Sequence, residues 1–240
     1  MKVYAITDIG KARPINEDSF YLPKETEPFC AVADGMGGHN AGEVASAMAI
    51  QAFAEAMRRS GKRTATAIHD AVLRANAAVY QEASRDSSKR GMGTTFTALV
   101  ADGRRVHIAH VGDSRAYLMR SGAISRVTKD HTLVEEMVSQ GLITEREARV
   151  HPRRNLVTRA LGTSESVEVD LIQLDVRPGE VILICSDGLS NYVPEHDLLR
   201  VTTGEGEWQE KLRELVGIAL NAGGSDNITA MLATFEEESR

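Results

Sequence analysis

Apolar and polar positions follow two rhythms along this chain. Residues 2–8 alternate weakly and read as a first strand, and residues 19–22 read as a second, closed by Pro23. The continuous apolar run Phe29-Cys30-Ala31-Val32-Ala33 reads as a buried strand that stops at Asp34. The rhythm then becomes helical. Over residues 43–57, Ala45, Ala49, Phe53 and Met57 share one face, and Gly61 ends the segment. Over residues 64–83, Ile68, Val72, Ala75 and Val79 form a second stripe. Both stripes read as faces turned to a core.

From residue 94 the strand rhythm returns. Residues 94–100 and 106–109 read as strands joined at Asp102-Gly103, a hairpin signal. Residues 115–119 and 123–127 form a second hairpin around Ser121-Gly122. This predicts a β-meander in the middle of the chain and antiparallel sheets, not alternating β-α units of the Rossmann kind. Residues 129–162 are polar and interrupt the strands. Thr132-x-x-Glu135 and Thr144-x-x-Glu147 fit capping boxes opening two short helices. The run His151-Pro152-Arg153-Arg154 is locally basic. This segment reads as a flap. Residues 167–174 alternate as a strand, Pro178-Gly179 turns into the apolar run 181–184, and a helix starts near Pro194. Trp208, Leu212, Leu215 and Ala219 line a last helix before a final strand over 228–235. No internal repeat or interdomain linker is visible. Strands interrupted by helix pairs predict an α+β fold with two packed antiparallel sheets and helices outside.

Composition narrows the classes. Among 240 residues, 42% are hydrophobic and 26% charged, which suits one globular unit or two small ones. The net charge of −6 favours neither nucleic acid nor an anionic membrane surface. No apolar run approaches a membrane span, and the first residues lack a signal-peptide core, so a cytoplasmic location is the expectation; a monomer is expected as well. Cys30 and Cys185 lie in apolar runs and read as buried free thiols rather than a disulfide.

The candidate chemistry lies where strands stop. Asp34 ends the 29–33 run and is followed by Gly35, whose missing Cβ lets backbone approach a guest held by the acid. The pattern recurs in Val111-Gly112-Asp113-Ser114, Cys185-Ser186-Asp187-Gly188 and Ser225-Asp226-Asn227. Near the start, Arg13 precedes Asn16-Glu17-Asp18. Convergent carboxylates repel one another unless cations neutralise them. Oxygen-only donors suit Mg²⁺ or Mn²⁺ rather than zinc. Arg13 offers a planar fork that matches two phosphate oxygens. Arg115 and Arg159 read as structural partners of buried acids.

Taken together, Arg13-x-x-Asn16-Glu17-Asp18, the stretch from Asp34 to Glu43, Gly93-Thr94-Thr95, Val111 to Tyr117, Ser186-Asp187-Gly188 and Gly224-Ser225-Asp226-Asn227 resemble the motif set of the bacterial metal-dependent Ser/Thr protein phosphatases, the protein phosphatase 2C family. The likeness runs in order from Ala5 to about Phe235. It implies a four-layer αββα sandwich forming one phosphatase domain over residues 1–240, with a flap subdomain at about 130–165. It also implies hydrolysis of phosphoserine and phosphothreonine by in-line attack of a hydroxide shared between metals. Two cations about 3.5–4 Å apart can hold such a hydroxide near neutral pH. Two Mn²⁺ or Mg²⁺ ions, with a possible third, would be held by Asp18, Asp34, the Gly35 carbonyl, Asp113, Asp187 and Asp226. Glu17 would sit in the outer shell, and Asp113 with Asp187 would take the third ion. Arg13 would clamp the phosphate and His39 would protonate the leaving oxygen. The partners implied are phosphorylated proteins and a cognate bacterial Ser/Thr kinase.

Rival motifs are missing. Gly61-Lys62 is followed by Arg63 with no P-loop glycine at the right distance, and Gly35-x-Gly37 lacks the third glycine of a dinucleotide loop. Neither cysteine has an arginine at the spacing of cysteine-based phosphatases. A metal phosphodiesterase would use the same ligands, and preference for a diester over a phosphopeptide would reveal it. A regulatory module that had lost activity would show a vacant ligand position, and none is vacant.

Overall fold

A computed structural model describes residues 1–24, 27–37 and 41–236. Eleven strands form two antiparallel sheets among these residues. The first sheet runs β1 (Lys2–Asp8), β11 (Ile228–Thr234), β10 (Val181–Cys185), β7 (Arg115–Arg120), β8 (Ala123–Arg126). The second runs β2 (Asp18–Tyr21), β3 (Phe29–Met36), β5 (Phe96–Asp102), β6 (Arg105–Val111), β9 (Asp170–Asp175), with the short β4 (Gly93–Thr94) pairing on β3.

The sheets face one another across an apolar layer. Cys30, Val32, Leu99 and Ile108 from one meet Ala116, Leu118, Ile182, Ile184 and Met231 from the other. Two helices, α1 (Gly42–Ser60) and α2 (Ala65–Arg85), cover the outer face of the β3 sheet. All eight residues of the two predicted stripes are buried there. The outer face of the β10 sheet is covered by α6 (Glu195–Thr203) and α7 (Trp208–Asn221), through Leu198, Leu212, Leu215 and Ala219. The result is the expected four-layer αββα sandwich. The central strands β3, β10 and β11 are buried on both faces and read as apolar runs, whereas the edge strands β8 and β9 alternate between half-buried and exposed positions. Cys30 and Cys185 are buried free thiols. Among the described residues, no helix is long and apolar enough to cross a membrane.

Between the sheets' strands lie α3 (Leu133–Ser139) and α4 (Glu145–Val150). Thr144 makes the full reciprocal capping box with Glu147, whereas Thr132 only accepts from the Glu135 amide. The short helix α5 (Asp187–Ser190) follows β10.

Three expectations are corrected. Strand β3 does not stop at Asp34 but continues to Met36, because Gly35 and Met36 pair with β4. The two central hairpins do not make one meander. Strand β6 pairs with β9, while β7 and β8 belong to the opposite sheet, so the chain changes sheets at Gly112–Ser114. Arg159 pairs with Asp170 and Glu168, whose side chains are 36% and 79% exposed, and not with buried acids.

Candidate metal centre

The acids gather at one end of the sandwich, between the two sheets. Asp18 opens β2 and stands directly across from Asp34 in β3. Asp113 lies on the connection where the chain changes sheets. Asp187 starts α5 after β10, and Asp226 lies just before β11. Five carboxylates, two from strands, one from the start of a helix and two from connections, therefore meet at this end of the sandwich.

Local chemistry fixes each backbone. The Asn16-Glu17-Asp18 loop is tied to the far end of the chain: the Asn227 side chain accepts from the Glu17 amide at 2.8 Å and donates to the carbonyls of Ile9 and Ile15 at 2.9 and 3.0 Å. The Glu17 carbonyl accepts from the Gly35 amide at 3.1 Å and the Ser46 hydroxyl at 2.6 Å. Asp34 is held on both sides by the threonine pair of β4 and its neighbour. Its amide donates to Thr95 Oγ1 at 2.9 Å, and its carbonyl accepts from Thr94 Oγ1 at 2.9 Å and the Thr95 amide at 2.9 Å. Gly35 has to be glycine: a Cβ there would lie 2.1 Å from the Gly42 carbonyl oxygen. That contact brings the start of α1 against the strand.

The electrostatics of this cluster are strained. Burial, and then neighbouring carboxylates, raise the Asp34 carboxyl well above the ordinary range, with Asp18, Asp187, Asp113 and Asp226 all contributing. Burial lifts Asp18 to about 7, Asp113 to about 8 and Asp187 to about 6. Burial also raises Glu17. Like charges out of water disfavour ionisation, which is the physical cause in each case. Few cations are near. Arg13 donates to Asp226 Oδ2 at 2.9 Å and lies 3.7 Å from Glu17. Ser186 donates to Asp18 Oδ2 at 2.8 Å, and Asn191 donates to Asp187 Oδ2 at 3.1 Å. The other oxygen of Asp18 is buried with no hydrogen-bond partner.

These observations test the fit of a divalent cation. A buried carboxylate oxygen without a partner, facing further acids, is a position that a hard cation satisfies. The donors are all oxygen, which fits Mg²⁺ or Mn²⁺. Among the described residues no three His, Cys, Asp or Glu side chains are already posed as a closed cage. Arg13, Ser186 and Asn191 instead hold individual carboxylates.

Of the residues singled out in the sequence, Asp18, Asp34, Gly35, Asp113, Asp187, Asp226 and Glu17 are brought to this one end. Arg13 is there as well, engaged with Asp226. His39 lies outside the described residues. Sequence reasoning missed the supports: Thr95, Ser186, Asn191 and Asn227. Thr95, Ser186 and Asn227 lie inside quoted motifs and Asn191 does not, and nothing in their spacing identified them as the hydrogen-bond anchors.

A buried acidic cluster between two antiparallel sheets, clad in helices, is a site whose chemistry calls for divalent cations. The model of the protein phosphatase 2C family matches residues 12–233, and the chain belongs to that family. It is 41% identical over 234 residues to the serine/threonine protein phosphatase PstP of Mycobacterium tuberculosis, covering 97% of this chain but 45% of that relative. The chain thus spans about half the length of that curated relative. It is 36% identical to the serine/threonine phosphatase stp of Listeria monocytogenes, covering 94% of this chain and 92% of the relative. Among solved structures, the catalytic domain of PstP in complex with two manganese ions superposes with a TM-score of 0.88 at 37% identity, over 98% of both chains.

Proposed function

We propose that the protein is a Mn²⁺- or Mg²⁺-dependent phosphatase that hydrolyses phosphoserine and phosphothreonine in proteins. One observation carries this reading: five carboxylates converge in a site with too little positive charge, and one Asp18 oxygen there has no partner. Membership of the family and the manganese pair in the PstP structure support it. Asp34, the Gly35 carbonyl, Asp187 and Asp226 are assigned to two cations, with Asp18 beside them and Glu17 in the outer shell. Asp113, with Asp187, is assigned to a third, weaker site. Bound divalent cations supply charge neutralisation and an acidified water at neutral pH.

The chain's own residues do the rest. Arg13 is the phosphate clamp. In the described arrangement its guanidinium pairs with Asp226, and the same planar fork would match two oxygens of a substrate phosphate were Asp226 to hold a cation instead. The proton for the departing serine or threonine oxygen is assigned to His39, on its place in the run between Asp34 and Glu43. Residues 1–240 are read as one phosphatase domain, with the flap at about 130–165 beside the site. A cognate Ser/Thr kinase as the opposing enzyme, and a monomeric state, belong to the same proposal.

The test is turnover of a phosphothreonine peptide. Mn²⁺ should support it, excess chelator should remove it, and Asp187→Ala should abolish it while the circular dichroism spectrum is kept. Full activity in Asp187→Ala, or faster cleavage of bis-p-nitrophenyl phosphate than of the peptide, would overturn the reading.

A further inference from the structure

His131 is buried where the chain leaves β8 for α3, at the root of the flap, and no role in the chemistry above uses it. It exchanges two hydrogen bonds with the residue before Asp113. The His131 amide donates to the Gly112 carbonyl at 2.8 Å, and the Gly112 amide donates to His131 Nδ1 at 3.0 Å. The His131 carbonyl accepts from the Thr158 amide at 2.8 Å, where the chain returns from the flap.

The donors around the ring set its tautomer. A backbone amide can only donate, so Nδ1 carries the lone pair and the neutral ring bears its proton on Nε2. Nε2 lies 3.2 Å from Asp170 Oδ2 and donates to it. Arg159 Nη1 sits 3.0 Å from Nε2, a donor facing a donor; its bond is to Asp170 Oδ1 at 2.9 Å. Asp170 thus accepts from both, one on each oxygen, and holds the ring with Nδ1 aimed at Gly112. A carboxylate behind an imidazole commonly fixes orientation in this way.

The other side of the turn is closed. Gly112 has φ +107°, and a Cβ there would lie 2.6 Å from the Thr95 side chain. Thr95 Oγ1 in turn lies 2.8 Å from Ser114 Oγ. The turn bearing Asp113 is therefore gripped between Thr95 on the Asp34 side and His131 on the flap side.

We infer that His131 is a positioning residue for Asp113: its Nδ1, oriented by Asp170, sets the Gly112–Asp113 turn from the root of the flap and so sets the weaker cation site. This rests on the reading of Asp113 as a ligand in that site. The side-chain amides of Asn and Gln separate the two ends of the imidazole. In His131→Asn the amide oxygen takes the place of Nδ1, whereas in His131→Gln the amide reaches Asp170 and leaves the Gly112 amide without an acceptor.

Three readouts apply to the full chain: Mn²⁺ binding by calorimetry, the Mn²⁺ concentration for half-maximal turnover, and hydrogen exchange at the Gly112 amide without metal. His131→Gln should speed exchange at Gly112 and weaken the lower-affinity Mn²⁺ site roughly tenfold, the usual size of an outer-shell loss, with the tight sites kept. His131→Asn should stay within about twofold of the parent in all three. Equal shifts in the two variants, or a His131→Gln protein with parent values, would overturn the inference. Asp113→Ala distinguishes the underlying reading: parent Mn²⁺ dependence in that variant removes the assignment of Asp113 itself, whereas an impaired Asp113→Ala beside indifferent His131 variants removes only the role of His131.

Discussion

Asp18 and Asp130 are buried to nearly the same degree, with 9% and 8% of their surfaces exposed, yet they live in opposite worlds. Asp130 is caged by cations of its own chain. Arg115 reaches it with Nε and Nη2, the closest contact at 2.7 Å, and Arg126 adds a third at 2.9 Å. Asp18 has one serine hydroxyl and an oxygen with no partner, and the charges nearest it are other carboxylates. A buried ion pair is complete as it stands; a buried run of like charges is complete only when something positive joins it. The contrast separates acids that hold the fold from acids that hold a guest.

The sharpest way to break this comparison is to remove each acid in metal-free protein at pH 8. Asp130→Ala strands two guanidinium groups and should cost about 3 kcal/mol. For a chain of this length that is a fall in Tm of roughly 6–12 °C. Asp18→Asn removes a buried charge without removing shape, so Tm in chelator should rise, while the gain in Tm on adding Mn²⁺ shrinks. Equal losses of Tm in the two variants would erase the distinction.

The next largest effect is on pH. Asp18, Asp113 and Asp187 have folded values raised to about 7, 8 and 6, above the 3.8 of an exposed aspartate. The native state then binds more protons than the unfolded chain, so stability falls as pH rises through these values. Between pH 6.5 and 8.5 the chelated protein should lose stability on the order of 2 kcal/mol, and saturating Mn²⁺ should flatten that slope. Buried His110 acts at the other end. Its folded value is pushed down to about 4 from 6.5. The unfolded chain binds the extra proton, and stability is lost as pH falls from about 6.5 towards 4. Three raised aspartates outweigh one depressed histidine, so Tm in chelator should fall from pH 6.5 to 8.5, where His110 no longer offsets the loss; a Tm still climbing over that range would contradict the strained cluster.

The smallest effect tests the single hydroxyl at Asp18. Ser186 donates to Asp18 and accepts from the Thr229 amide at 2.9 Å. Ser186→Ala should cost about 1 kcal/mol, a shift of roughly 2–4 °C, and move the alkaline loss of stability to higher pH. An unchanged pH profile would show that the hydroxyl does not tune Asp18.

Much of this was legible in the sequence, for definite reasons. The helix stripes showed because their period of apolar residues faces one core. Asp34, Asp187 and Asp226 showed because each follows or precedes an apolar strand beside a turn residue. What stayed hidden depends on pairing between distant segments. Nothing near Asp18 announces that it faces Asp34 across a strand pair, and nothing near Gly112 announces a change of sheet. Residues 94–100 read as one strand, and the break at Thr95 that sets β4 apart from β5 was invisible, since Gly93-Thr94 has no period of its own and is set by pairing with Gly35 and Met36. The Arg115–Asp130 pair was half legible: the arginine read as structural, but its partner could not be picked from sequence. His39 stays an assignment from motif position.

The pairing of β1 with β11 has a temporal consequence. Strand β11 lies between β1 and β10, and Asp226 immediately precedes it. A ribosome that has delivered everything through α7 has made the cover for this sheet but not its second strand, and β1 has no neighbour to pair with. Asp226, the Arg13 contact and the Asn227 ties to the Asn16-Glu17-Asp18 loop all arrive with that last stretch. Domains form during synthesis from the first residues onward, but here the charge cluster cannot be completed until the final strand slots into the middle of a sheet. A truncated or unfinished chain is thereby denied the full set of carboxylates.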